Sequence, residues 1–321
     1  MTWVTWRLYR NQGALSAALL AALTVLLLIT GLHAAQTWHS ALTECTRDNS
    51  CANLDGSLTL ANSVVGFLVV ATSAVPLLPG LFWGAPMVAR ELETGTNQFS
   101  WTQGITRRRW LAVGAGWLIL AAAVLAGAVS ALVTWWSGPN AAMQANAFAA
   151  NRFDITDIVP VGYAIFAMAL GICAGTLLRR TIPAMAVTLA GFVALRVPIA
   201  QLLRPHYLTP VTVYYKLTTP FLPTGPYLGV SQGYVVTNGK PPAAAASSFN
   251  FNGVPIPAVC RPQASPGTVL SCLTAHGYRG YVTYQPASRF WAFQGIETGI
   301  YLALAAVLLA AAFWVLRRRD A

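Results

Sequence analysis

Six long apolar stretches limit what this chain can fold into. A helix needs about 20 mostly apolar residues to cross the ~30 Å hydrocarbon core of a bilayer. Residues 13–35, 59–83, 110–135, 158–178, 182–203 and 290–316 all qualify. Charged residues are 9% of the chain, whereas a water-soluble domain carries about a quarter. That shortage excludes an ordinary soluble enzyme and a disordered tail. The basic excess, +11 at pH 7, lies in short clusters beside the apolar runs, so it reads as membrane topology rather than a nucleic-acid surface. The expected fold is an all-α integral membrane protein with six transmembrane helices.

Orientation follows from the arginines. With both termini cytoplasmic (N-in, C-in), the inner side holds Arg7, Arg10, Arg90, Arg107 to Arg109, Arg179, Arg180 and Arg317 to Arg319. The short outer loops then hold only Arg47 and Arg152, which satisfies the excess of Lys and Arg expected on cytoplasmic loops. Trp3, Trp6 and Tyr9 alternate with Arg7 and Arg10, the pattern of a short interfacial helix. The first apolar stretch exceeds the core of a cleavable signal peptide, so it is expected to remain as a span.

Residues 204–288 separate the fifth and sixth spans and change composition towards Pro, Gly, Tyr and Thr. They form an inserted extracellular cap, with 207–215 and 278–284 suited to short strands or to packing on the membrane surface. Cys45 and Cys51 fall in the first outer loop and Cys260 and Cys272 in the cap, where thiols are oxidised. Disulfides Cys45–Cys51 and Cys260–Cys272 are therefore expected, with pairing between the loops as the alternative. Cys173, within the fourth span, reads as a small buried apolar residue. The histidines are scattered and there is no C-x-x-C, so no metal site is expected.

Catalytic patterns are missing. The only Gly-Lys pair, Gly239-Lys240, precedes Pro241 and lacks the spacing of a phosphate-cradling loop. No H-E-x-x-H or G-x-S-x-G occurs. No catalytic residue and no cofactor-binding residue is assigned to the chain. Two charges fall inside predicted spans: Arg196, ~22 Å along the fifth helix, and Glu297, ~10 Å into the sixth from its outer end. A charge in hydrocarbon costs at least ~2.5–3.5 kcal/mol unless it is paired or solvated. An Arg196–Glu297 ion pair is therefore expected, with Arg289 as the rival partner for Glu297. Asp154 and Asp157 read as caps of the fourth helix. Gly171 and Gly175 form a G-x-x-x-G that permits close helix contact, and Pro76, Pro79, Pro183 and Pro198 should kink the second and fifth helices.

The cytoplasmic segment Gly84 to Leu111 is the most informative one. Pro86 suits the opening of a short amphipathic helix, with Met87, Val88 and Leu92 on one side and Arg90, Glu91 and Glu93 on the other, ended by Gly95. The run Ala89-Arg90-Glu91-Leu92-Glu93-Thr94-Gly95-Thr96, followed by Gly104-Ile105-Thr106-Arg107, resembles the loop between the second and third helices of ABC-2-type transporter permeases. Gly104 stands where that family usually has Pro. Phe99 to Gln103, and the opening of the last helix from Arg289 to Glu297, look like actinobacterial members.

The resemblance implies one transmembrane permease domain over residues 1–321, in a bacterial plasma membrane, acting as the membrane path of an ATP-dependent exporter. It implies a homo- or heterodimer of permeases with a separate ABC ATP-binding subunit beneath each copy. Arg90, Glu91, Glu93, Gly95 and Thr96 would form the coupling surface. ATP and Mg would belong to the partner, and no nucleic acid is involved. The rival reading is a membrane sensor or accessory protein whose cap binds a ligand.

Overall fold

The computed structural model describes residues 18, 21–32, 36, 40, 43, 66–94, 107–137, 148, 150–217, 227–236, 250–251, 254–255, 260 and 266–318. Within them, five helices are long and apolar enough to cross a membrane, and a shorter apolar helix covers Ala21–Leu32. We call that shorter helix α1. The second, α2, spans Gly66–Glu91, and α3 runs Arg107–Ser137. Next come α4, Val159–Leu178, and α5, Thr181–Pro198, whose apolar span continues to His206. A short helix α6, Pro266–Ala275, precedes the last span, α7, Phe290–Arg318. The expected interfacial helix at residues 3–10 lies outside the described residues, as do most flanks of the first predicted span. The observed architecture is thus mainly helical and membrane-spanning, with five described spans.

The chain divides into two compact units: residues 1–145, 149–200 and 291–321 in one, residues 146–148 and 201–290 in the other. In the first, α4 is the central helix. Its burial follows from small residues. Gly171 lies so close to the Gly80 carbonyl and the Ala85 amide of α2 that a Cβ has no room, and a Cβ on Gly175 would stand 2.7 Å from the Ala85 carbonyl oxygen. Between helices in lipid no hydrophobic force operates, so such close backbone approach supplies the packing energy. The G-x-x-x-G of α4 therefore meets a second glycine pair, Gly80 and Gly84, on α2. Around this contact Met87, Val88, Leu111, Leu118, Met168, Ile172 and Cys173 form a buried cluster, and Cys173 has the apolar role expected of it.

The prolines alter helix type rather than ending helices. Pro76 sits in a 3-10 turn, Val75–Leu77, and a π-helical turn, Gly80–Gly84, follows it. Pro198 is followed by a π-helical turn, Ile199–Leu203. Each turn absorbs the break in the i to i−4 ladder that a missing N–H creates. This corrects one sequence expectation. The segment opening at Pro86 is no separate helix: Ala85–Thr94 continues α2 without a gap, and Met87 and Val88 are buried in the helix packing.

The second unit adds a small sheet to the all-α expectation. Strands β1 (Val211–Tyr215), β2 (Tyr227–Val236) and β5 (Tyr278–Pro286) form an antiparallel sheet in the order β1-β5-β2. Residues β3 (Asn250–Phe251) and β4 (Val254–Pro255) pair separately. Tyr215 lies opposite Gly280, whose missing side chain leaves room for the tyrosine ring. Cys260 and Cys272 are joined by a disulfide and pack with Leu217 and Leu273 in a small buried cluster. Gln285, fully buried, donates to the carbonyls of Pro205 (3.1 Å) and Leu208 (2.6 Å) and accepts from Arg289 (2.7 Å).

Candidate functional site

Within the membrane-spanning unit, four helices converge on one polar cluster. Arg196 of α5 donates through Nη2 to Asp154 Oδ2 at 3.2 Å and through Nη1 to the Ser73 carbonyl of α2 at 2.9 Å. Its guanidinium also lies over the Tyr163 ring of α4, 4.7 Å from the centroid. The Tyr163 hydroxyl stands between two carboxylates, 2.5 Å from Glu297 Oε1 and 3.3 Å from Asp154 Oδ1, and its one proton is donated to one of them at a time. Gln294, one turn before Glu297 on α7, accepts from the Val159 N–H (3.1 Å) and donates to the Phe153 carbonyl (3.2 Å). Tyr163, Gln294 and Glu297 are all fully buried.

Two expectations change here. Arg196 and Glu297 do share one cluster, but the ion pair is Arg196–Asp154, and Glu297 joins through Tyr163. The reason is local. Asp157 adopts a left-handed conformation (φ 63°) that an aspartate tolerates, and its peptide is pinned by α3, with the Ser130 hydroxyl on its carbonyl (2.7 Å) and Thr134 Oγ1 on its N–H (3.2 Å). That turn directs Asp154 towards Arg196. The cap position of α4 is Ile158, without a side-chain cap, so neither aspartate caps the helix. Arg289 bonds the Thr209 carbonyl (2.6 Å) and Gln285 within the other unit.

Tyr163 and Gln294 were not singled out as site residues from the sequence. The signal was present: Gln294, Glu297 and Tyr301 recur at i, i+3 and i+7, one face of a helix that is otherwise apolar. Tyr301 packs edge-on to the Tyr163 ring at 4.7 Å between centroids, which completes that face. The cluster has the makings of a cross-link between α2, α4, α5 and α7. Each charged or amide group is bonded to a different element of the unit.

At the other end of α2, the expected coupling residues are only partly described. Arg90 and Glu93 are exposed and Glu91 is half-buried, whereas Gly95 and Thr96 lie outside the described residues. Glu93 Oε2 accepts from the Thr181 N–H (3.2 Å) and the Thr181 hydroxyl (2.9 Å) at the start of α5. These bonds, aided by the charge of Arg180, hold the Glu93 carboxyl below the usual range. Of the two expected disulfides, Cys260–Cys272 is formed, and Cys45 and Cys51 lie outside the described residues. Cys260, Cys272 and His276 are the one group with metal-ligand proximity among the described residues, but both sulfurs are consumed by the disulfide.

Comparison with known proteins agrees with this architecture. Residues 17–204 match the family described as ABC-2 membrane transporter related, a segment that holds α1 to α5 and the Arg90–Glu93 surface. No curated protein and no solved structure matches the chain. Since the match extends over more than half of its length, this multi-pass membrane protein belongs to the ABC-2 membrane transporter-related family and is a transport permease.

Proposed function

We propose that the chain is the permease subunit of an ATP-dependent exporter of a bacterial plasma membrane, paired with a second permease and driven by separate ATP-binding subunits. The observation that carries this reading is the polar end of α2. Family membership predicts a coupling surface there, and Arg90, Glu91 and Glu93 stand on a helix end anchored to α4 by glycine-backed contact. A surface receives force only if it cannot yield separately from what it must move. The arginine clusters put this end in the cytoplasm, where an ATPase resides.

The proposed cycle needs no chemistry from this chain. ATP and Mg sit on the partner, whose closure displaces the α2 end. The membrane helices then shift, and the polar cluster around Arg196 changes partners as the path opens to the other side. An amphipathic cargo entering between two copies suits a permease with few buried charges.

The test is affinity purification of the full chain in mild detergent from its native membrane. An ATP-binding protein should accompany it, and the complex should hydrolyse ATP. Glu91→Arg should weaken that assembly while membrane insertion stays normal. A chain that purifies without an ATP-binding protein, from membranes where its transport is intact, overturns the reading.

A further inference from the structure

The Glu93 carboxylate, expected to face a partner, is turned onto α5. Thr181 is the first residue of α5, and Arg180 at the cap position offers no side-chain bond. A helix start leaves backbone N–H groups without partners and carries partial positive charge. Glu93 answers both needs from a different helix. Its acceptor oxygen takes the Thr181 N–H and hydroxyl together.

Beneath this contact the buried side chains are small, with Met185 packed against them from the side. Ala85 and Ala89 of α2, Ala174 of α4 and Ala184 of α5 are all buried in one cluster. Gly175 brings the α4 backbone close enough that a Cβ would stand 3.3 Å from the Ala89 amide nitrogen. Close-packed small residues transmit displacement because they lack rotamers to absorb it. From Thr181, α5 rises ~22 Å over fifteen residues to Arg196, whose guanidinium holds Asp154 and the Ser73 carbonyl. A single rod therefore joins the cytoplasmic end of α2 to the polar cluster.

We propose that Glu93 and Thr181 are positioning residues that latch the coupling end of α2 to α5, so that a push on the Arg90–Glu91 surface reaches the Arg196–Asp154 pair along α5. The inference rests on the exporter reading above. It assigns Glu93 to transmission within this chain, and leaves Arg90 and Glu91 to the partner.

The test uses the complete complex with its co-purifying ATPase, in lipid, with ATP as the only added ligand. Nitroxide labels are placed at Val197→Cys beside Arg196 and at Val124→Cys on α3, both outward-facing positions, with Cys173→Ala removing the free thiol among the described residues and Cys45→Ala with Cys51→Ala removing the other two outside the disulfide Cys260–Cys272. Electron–electron distance measurement should show a population that shifts when ATP is added. Glu93→Ala and Thr181→Val should each reduce that shifted population about fivefold, and in Thr181→Val ATP hydrolysis should stay within twofold of the parent. Thr181→Ser should restore it, and the double variant should be no worse than either single one, since both remove one contact. If Glu93→Ala fails to fold, Thr181→Val, which deletes one hydroxyl, carries the test.

A parent-like shift in both single variants overturns the latch, as does a parent complex whose α5 label never moves with ATP. Loss of the ATPase from Glu93→Ala also overturns it, because Glu93 would then be a docking residue. In each of these cases the exporter reading stands. If no ATP-binding protein accompanies the parent chain, that reading fails and takes the latch with it.

Discussion

Helices α4 and α5 are consecutive, similarly apolar and both long enough to span a bilayer, yet 72% of the α4 span is buried and only 22% of the α5 span. Overall hydropathy does not separate them. What separates them is where the small residues fall. Helix α4 carries Gly162, Gly171 and Gly175 among alanines, and its backbone meets α2 on one side and Thr298 of α7 on another. Helix α5 buries Ala184, Thr188 and Phe192, spaced four apart on one stripe, and turns Ile182, Val187, Leu189, Val193 and Val197 outward. Lipid tails are as apolar as these side chains, so an interior helix is chosen by how closely its backbone can be approached. In α5 the one costly group, Arg196, lies beside the buried stripe and is spent on Asp154.

Substitutions in these helices break or sharpen that contrast. The largest effect is expected from Gly171→Val, because the obstacles are backbone atoms of Gly80 and Ala85 that cannot rotate away. The loss should be at least about 3 kcal/mol, the upper part of the range for overpacking. Thermal unfolding in detergent measures it, and a parent-like midpoint would remove the basis for calling α4 the interior helix. Arg196→Ala should cost about 3 kcal/mol by stranding Asp154, whose side chain is only 11% exposed. The double change Arg196→Leu with Asp154→Leu should recover most of that loss, which separates the cost of an abandoned charge from the worth of the pair.

A smaller, pH-dependent effect belongs to the α2–α5 contact. The Glu93 carboxyl is held below its ordinary value by Thr181, so the contact is complete above the normal glutamate range and is lost as pH falls through the lowered value. The protection of the Thr181 amide against hydrogen exchange, taken relative to the unprotected rate at the same pH, should hold through the ordinary glutamate range and fall only below it. In Glu93→Gln the pH dependence should vanish; an amide equally pH-sensitive in that variant counts against the assignment. The smallest effect should come from Ala190→Val on the outward face of α5, within about 0.5 kcal/mol of the parent. A loss as large as that of Gly171→Val would mean that α5 is covered by another helix in the assembled protein.

Much of the site is legible in the sequence. Arg196 and Glu297 stood out because charges are rare in apolar spans, and both belong to the polar cluster. Their partners were less visible. Asp154 lies near both in space because one left-handed residue, Asp157, redirects the chain, and aspartates before a helix ordinarily suggest capping. Tyr163 looked like part of an apolar run, since its ring is hydrophobic and only its hydroxyl reports the site. Pro86 suggested a helix start, but the π-helical turn at Gly80–Gly84 let α2 continue through it.

The sequence by itself determined that this is a membrane protein, where most of its spans lie, which family it joins and which charges need partners. Each of these is a property of single residues or short runs meeting water or lipid, so linear order suffices. Tertiary structure alone decided which helix is central, which carboxylate meets Arg196, and that Glu93 closes on Thr181. Those depend on groups approaching within a few ångströms, between residues 42 positions apart for Arg196 and Asp154 and 88 apart for Glu93 and Thr181, and no local pattern encodes that distance.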